Sequence, residues 1–128
     1  MICIDDDLLL GHDMILKYKS FFANHGPCVA SQRVSQFSEN KEIAYILGVN
    51  TIAIHTSLIT PKLVQDLKEF NAKEGCKMHD DIALIMALHK HGLPIRQGPS
   101  FYRENTPEAF SADSLWHRDP HSVKDARC

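Results

Sequence analysis

At 128 residues the chain fits one domain, and its 44% hydrophobic and 23% charged content is that of a globular protein able to bury a core. A formal net charge of -2 and a pI near 6.4, with basic residues scattered rather than striped, give no electrostatic ground for nucleic-acid binding. No run of about 18 uncharged apolar residues is present to span a membrane, and Met1-Ile2-Cys3-Ile4 meets three aspartates before any leader-like stretch forms, so a soluble cytoplasmic protein is expected.

In chain order, Ile2-Cys3-Ile4 is a short apolar run ending in acid, the pattern of a buried strand that opens into a loop. Asp13 caps a predicted helix from residue 14 to about residue 23, with Ile15, Tyr18 and Phe22 on one face. His25-Gly26-Pro27 stops it. Residues 28–31 read as a second strand, 35–41 as a polar connector and 42–47 as a helix closed by Gly48. Thr51-Ile52-Ala53-Ile54 is a third strand, rich in β-branched residues. Thr60 at a cap and Pro61 at the first helical position start a helix whose apolar face is Leu63, Val64, Leu67 and Phe70, ended by Gly75. The strongest predicted helix is 80–91, with Leu84, Ile85 and Leu88 on the face that begins at Asp81. Gly92 and Pro94 end it, and 93–96 can form a further strand. Beyond Gln97 the apolar pattern decays, so residues 97–128 are expected to be an irregular tail, with one turn around 111–117.

Strands alternating with helices define an α/β layer architecture over residues 1–96. Only four residues precede the acidic loop, so the first strand would be an exposed edge, and the chain reads as cut at its N-terminus. Cys3, Cys28, Cys76 and Cys128 lie far apart without a CxxC pair, which argues for reduced thiols rather than a zinc site.

Two acidic segments carry the candidate chemistry. Asp5-Asp6-Asp7 follows an apolar strand, and three adjacent carboxylates repel one another unless a cation or donors offset them. Alternate members, Asp5 and Asp7, can reach one hard cation, magnesium or manganese, which in turn bridges phosphate oxygens. The plainer alternative is a solvated acidic turn. Asp80 and Asp81 open the best helix. One acid there suffices as a cap, and Asp81 continues the apolar face, which makes it a candidate general base toward a substrate hydroxyl.

The order of these features resembles the inverting glycosyltransferases of the GT-A fold: the strand into Asp5-Asp6-Asp7, the helix from Asp13, Ser31-Gln32-Arg33, Gly48-Val49-Asn50-Thr51-Ile52-Ala53-Ile54, then Asp80-Asp81-Ile82-Ala83-Leu84. The likeness covers roughly residues 2–96. It implies a partial GT-A sheet with flanking helices, in which Asp5 and Asp7 match the ends of a DxD motif that binds metal and the sugar-nucleotide diphosphate. It implies that Asp81 is the base and Asp80 its acidic neighbour, acting on a nucleoside-diphospho-sugar and a hydroxyl-bearing acceptor (glycan, protein or small molecule). In that reading Asp5, Asp6, Asp7 and Arg33 bind the donor, and a late histidine, His117 beside Trp116 or else His121, completes the metal shell. Arg96 is a second phosphate candidate. The first half of such a fold, which holds base and ribose, has no counterpart in this sequence, so a missing N-terminal half or a second polypeptide is expected to supply it. The glycine-rich strand keeps only Gly48, and no QxxRW motif of processive synthases is present.

Two other readings compete. A haloacid-dehalogenase-like phosphatase would use Asp5 as nucleophile and Asp7 as acid/base, with the Ile52-Ala53-Ile54-His55-Thr56 strand supplying the family's threonine; Leu8 and Leu9 depart from its loop. A non-catalytic fragment would act only as a partner of another chain.

Overall fold

The computed structural model describes residues 1–4, 8–39, 42–47, 51–73 and 80–107, with the side chains of 36–39, 42–47 and Asp80 outside that description. Asp5, Asp6, Asp7, Trp116, His117 and His121 fall outside the described residues.

A strand that is apolar at successive positions needs cover on both faces. Strand β1 (Ile2–Ile4) leads toward β2 (Leu8–Leu10), helix α1 (Met14–His25) and β3 (Val29–Ser31); β4 (Val34–Glu39) and β5 (Glu42–Leu47) precede β6 (Thr51–Ile54). A 3-10 turn (Thr56–Leu58), α2 (Pro61–Ala72), α3 (Asp80–Lys90), β7 (Ile95–Gln97) and β8 (Arg103–Asn105) complete the order. The central sheet has four strands in the order β1-β6-β3-β7, antiparallel except for the parallel pair β3–β7. This is a mixed α/β architecture.

Alternation assigns the two faces. Val29, Ile52 and Ile54 pack with Leu63 of α2 and with Ala87 and Leu88 of α3. Ala30 and Ala53, the intervening positions, pack on the other side with Met14 and Tyr18 of α1 and with Phe101. All four residues of β6 are consequently buried, and the sheet lies between α1 and the α2–α3 pair. Tyr18 carries its hydroxyl into this layer and satisfies it on Thr51 Oγ1 at 2.8 Å, while Ser31 Oγ donates to the Thr51 carbonyl at 2.9 Å. Burial of a hydroxyl requires such partners.

Local chemistry explains the helix boundaries. Thr60 Oγ1 accepts from the Leu63 amide at 3.1 Å and Pro61 occupies the first turn, as expected. Asp13 occupies the cap position of α1 without a side-chain cap bond; its carboxylate pairs instead with Lys17 at 3.2 Å. Gly92, at φ 61, turns the chain from α3 toward β7.

Five expectations are corrected. Residues 42–47 form strand β5, not a helix, and β4 occupies most of the expected connector 35–41. The two make an antiparallel hairpin with Val34 opposite Leu47, and backbone pairing decides a short apolar run that side-chain periodicity leaves ambiguous. Ile15 is 57% exposed, and the buried face of α1 is Met14 and Tyr18, because Phe101 packs edge-on against Tyr18 from a segment distant in sequence. The segment from residue 97 is not wholly irregular: Phe101 enters the core, and β8 pairs with β2, so that Leu8 faces Asn105 and Leu10 faces Arg103. Helix α2 ends at Ala72, with Lys73 as its cap, ahead of Gly75.

Candidate functional site

Strand directions bring the candidate elements to one end of the sheet. Because β6 is antiparallel to both β1 and β3, and β7 is parallel to β3, the strands β1, β3 and β7 all point the same way. Their last residues, Ile4, Ser31 and Gln97, lie at a common edge with Thr51, the first residue of β6. Ligands of α/β sheets collect at the carboxyl ends of such strands. Ile4 and Leu8, the described residues that flank the acidic triplet, end β1 and begin β2.

A carboxamide network consolidates this edge. Gln97 Oε1 accepts from the Val34 amide at 3.0 Å, and Gln97 Nε2 donates to the Gln32 carbonyl. Gln32 Nε2 donates to the Phe101 carbonyl at 2.8 Å, and its Oε1 is buried without a hydrogen-bond partner among the described residues. The Gly98 amide donates to the Ser31 carbonyl at 2.7 Å, and a Cβ on Gly98 would sit 3.0 Å from that same oxygen, so glycine permits the close approach. Arg33, expected to meet phosphate, is exposed just beyond β3, with its amide 3.4 Å from Ser31 Oγ. Arg96 is exposed on β7.

Helix α3 places the second acidic element. It delivers the chain to the start of β7, with the Pro94 carbonyl accepting from the Val29 amide at 2.8 Å, so its C-terminal end lies at the amino end of β3. Ala83, Ala87 and Leu88 are buried along its length, and α3 also abuts β5, in the hairpin that leaves the carboxyl end of β3. Eleven residues extend about 16 Å. Asp80 and Asp81 therefore begin the helix at the carboxyl end of the sheet. Asp81 is half-buried there, as its place on the apolar face requires.

The expected metal set, Asp5, Asp7 and His117, lies outside the described residues; among the described residues no three His, Cys, Asp or Glu side chains group closely enough to hold a metal ion. Two hollows flank α1, one of about 530 Å³ against β1 and one of about 430 Å³ against Pro99 and Ser100, and neither is lined by a predicted site residue. Among the described residues no helix is long and apolar enough to cross a membrane.

At the opposite end of α3 the structure holds an ionic cluster that sequence reasoning missed. Asp66, only 1% exposed, accepts from Lys62 Nζ at 2.9 Å and from His91 Nε2 at 2.7 Å, with Lys90 Nζ 3.3 Å away. The hydrogen bonds from Lys62 and His91 hold its carboxyl well below the usual carboxylate range, and the same contact raises Lys62. Since the folded value is depressed, the stabilisation is present above the ordinary value of 3.8 and is lost as pH falls through the folded value. The i,i+4 spacing of Lys62 and Asp66 was the readable signal; Lys90 and His91 join only through the tertiary fold. His55, by contrast, serves its own turn, 2.7 Å from Ser57 Oγ.

No protein-family model, curated protein or solved structure matches the chain.

Proposed function

We propose that the chain carries the catalytic half of a metal-dependent, inverting glycosyltransferase of GT-A type, which moves a sugar from a nucleoside-diphospho-sugar to an acceptor hydroxyl. The observation that supports this reading is the common carboxyl end of β1, β3 and β7, toward which both the segment after Ile4 and the first turn of α3 open. Successive carboxylates offer the hard oxygen donors that magnesium and manganese prefer. Asp5 and Asp7 would hold the ion, with Asp6 beside them and His117 completing the set. A bound divalent cation supplies charge neutralisation to the departing diphosphate.

The chain's own groups carry the remaining steps. The half-buried Asp81 carboxylate accepts the acceptor's hydroxyl proton, with Asp80 adjacent, as the acceptor oxygen bonds to the anomeric carbon and the bond from that carbon to the diphosphate oxygen breaks. Arg33, exposed at the same edge, faces the diphosphate charge. The antiparallel pairing of β8 with β2 sets Asn105, its last residue, opposite Leu8, the first described residue after the acidic triplet, which favours a contribution from the tail.

The phosphatase reading is weaker. It needs a threonine beside Asp5, but β6 runs antiparallel to β1, and Thr56 follows the end of β6 remote from Ile4.

Isothermal titration tests the proposal. Manganese-dependent binding of a UDP- or GDP-sugar is expected in the wild type and lost in Asp7→Ala. Absence of binding, or a beryllofluoride adduct mapped to Asp5, would overturn it.

A further inference from the structure

Among the described residues Asp66 is the buried charged side chain, and two of its three nitrogen-bearing partners, Lys90 and His91, come from the last residue of α3 and the one after it. We infer that Asp66 is a positioning residue: by gripping the C-terminal end of α3 it sets the rotation and axial position of the helix whose first turn presents Asp80 and Asp81, an inference that rests on the role proposed above for Asp81.

The face that α3 buries explains why such a grip is needed. Ala83, Ala87 and Leu88 are fully buried, and Leu84 and Ile85 pack partly buried against the same core cluster. Apolar packing is non-directional, so a directional contact is what selects one rotation and register of such a face. A shift of one residue turns a helix by about 100° and advances it by about 1.5 Å, which would carry the Asp81 carboxylate off the apolar face. Hydrogen bonds to a fixed carboxylate are directional and forbid that shift. Asp66 is itself fixed: it projects from α2, whose Leu63 is buried against the sheet, and Lys62 holds its Oδ1 from one turn earlier. Lys90 is further confined by the Phe70 ring, 5.9 Å from its ammonium. Between the clamp and Asp81 the helix contains neither glycine nor proline, the usual causes of a kink, so it transmits the constraint as a rod.

The full chain tests this as Asp66→Asn and His91→Leu, compared with wild type by amide NMR and by transfer kinetics. Both variants are expected to keep the native spectrum of β3 and β6 while the amides of Asp81, Ile82 and Ala83 shift. In the same variants kcat is expected to fall about tenfold or more, with KM for the donor unchanged, because misplacement of a base affects the chemical step. Shifts confined to α2 and residues 88–91, or an unaltered kcat, would overturn the inference. His91→Leu, which removes that donor while Lys62 and Lys90 still offset the Asp66 carboxylate, provides the test if Asp66→Asn does not fold. The NMR result stands without any turnover, so a wild type that transfers no sugar defeats the proposed function while the amide shifts still decide whether Asp66 positions α3.

Discussion

Asparagine at position 81 is expected to slow glycosyl transfer by about 10²- to 10⁴-fold, the usual contribution of a general base. Binding of the manganese–sugar-nucleotide complex should remain, since in the proposed mechanism Asp81 acts on the acceptor and other residues hold the donor. Asparagine matches aspartate in shape and can still accept a hydrogen bond at the start of α3, so the helix itself is not the casualty. Progress curves with saturating donor separate the two effects: a fall in kcat with unchanged donor affinity supports the assignment. An Asp81→Asn protein that turns over like the wild type would remove Asp81 from the chemistry.

The largest loss of stability is expected for Leu88→Ala, about 2–5 kcal/mol in urea unfolding. Leu88 is fully buried where α3 meets Val29, Ile52 and Ile54 of the sheet and Leu63 of α2. Leu84 and Ile85, one turn earlier on α3, already pack against the same cluster, so the space that a truncation leaves is only partly refilled. Ile15→Ala, on the exposed side of α1, should by contrast cost under about 1 kcal/mol, since surface substitutions rarely change stability much.

What could be read from the sequence follows the range of the interactions that decide each element. Thr60-Pro61 and Gly92 act through their immediate neighbours, and the structure ends and begins helices there as local chemistry dictates. Thr51-Ile52-Ala53-Ile54 was legible because β-branched residues at successive positions suit a strand covered on both faces. Residues 42–47 were not, because Glu-Ile-Ala-Tyr-Ile-Leu satisfies a short helix as readily as a strand, and the hairpin partner β4 lacks clean alternation. Leu8–Leu10 gave no sign of a strand either, since its partner β8 lies far along the chain. The candidate site shares this division. Its acidic residues stand out in the sequence, but the shared direction of β1, β3 and β7, on which the proposed site depends, is one that sequence alone leaves open. The Asp66 clamp, assembled from α2 and the far end of α3, was half visible as Lys62 and Asp66 and otherwise hidden.

The proposed function requires the acidic triplet and the start of α3 to serve one cation-dependent site at the carboxyl end of β1, β3 and β7. Paramagnetic broadening by manganese reads this directly from amide spectra of the full chain. Stoichiometric manganese should broaden Ile4, Leu8, Thr51, Gln97 and Asp81 first, and the effect should disappear in Asp7→Ala. Broadening that is absent, or that centres on His25 and His91 at the opposite end, would contradict it.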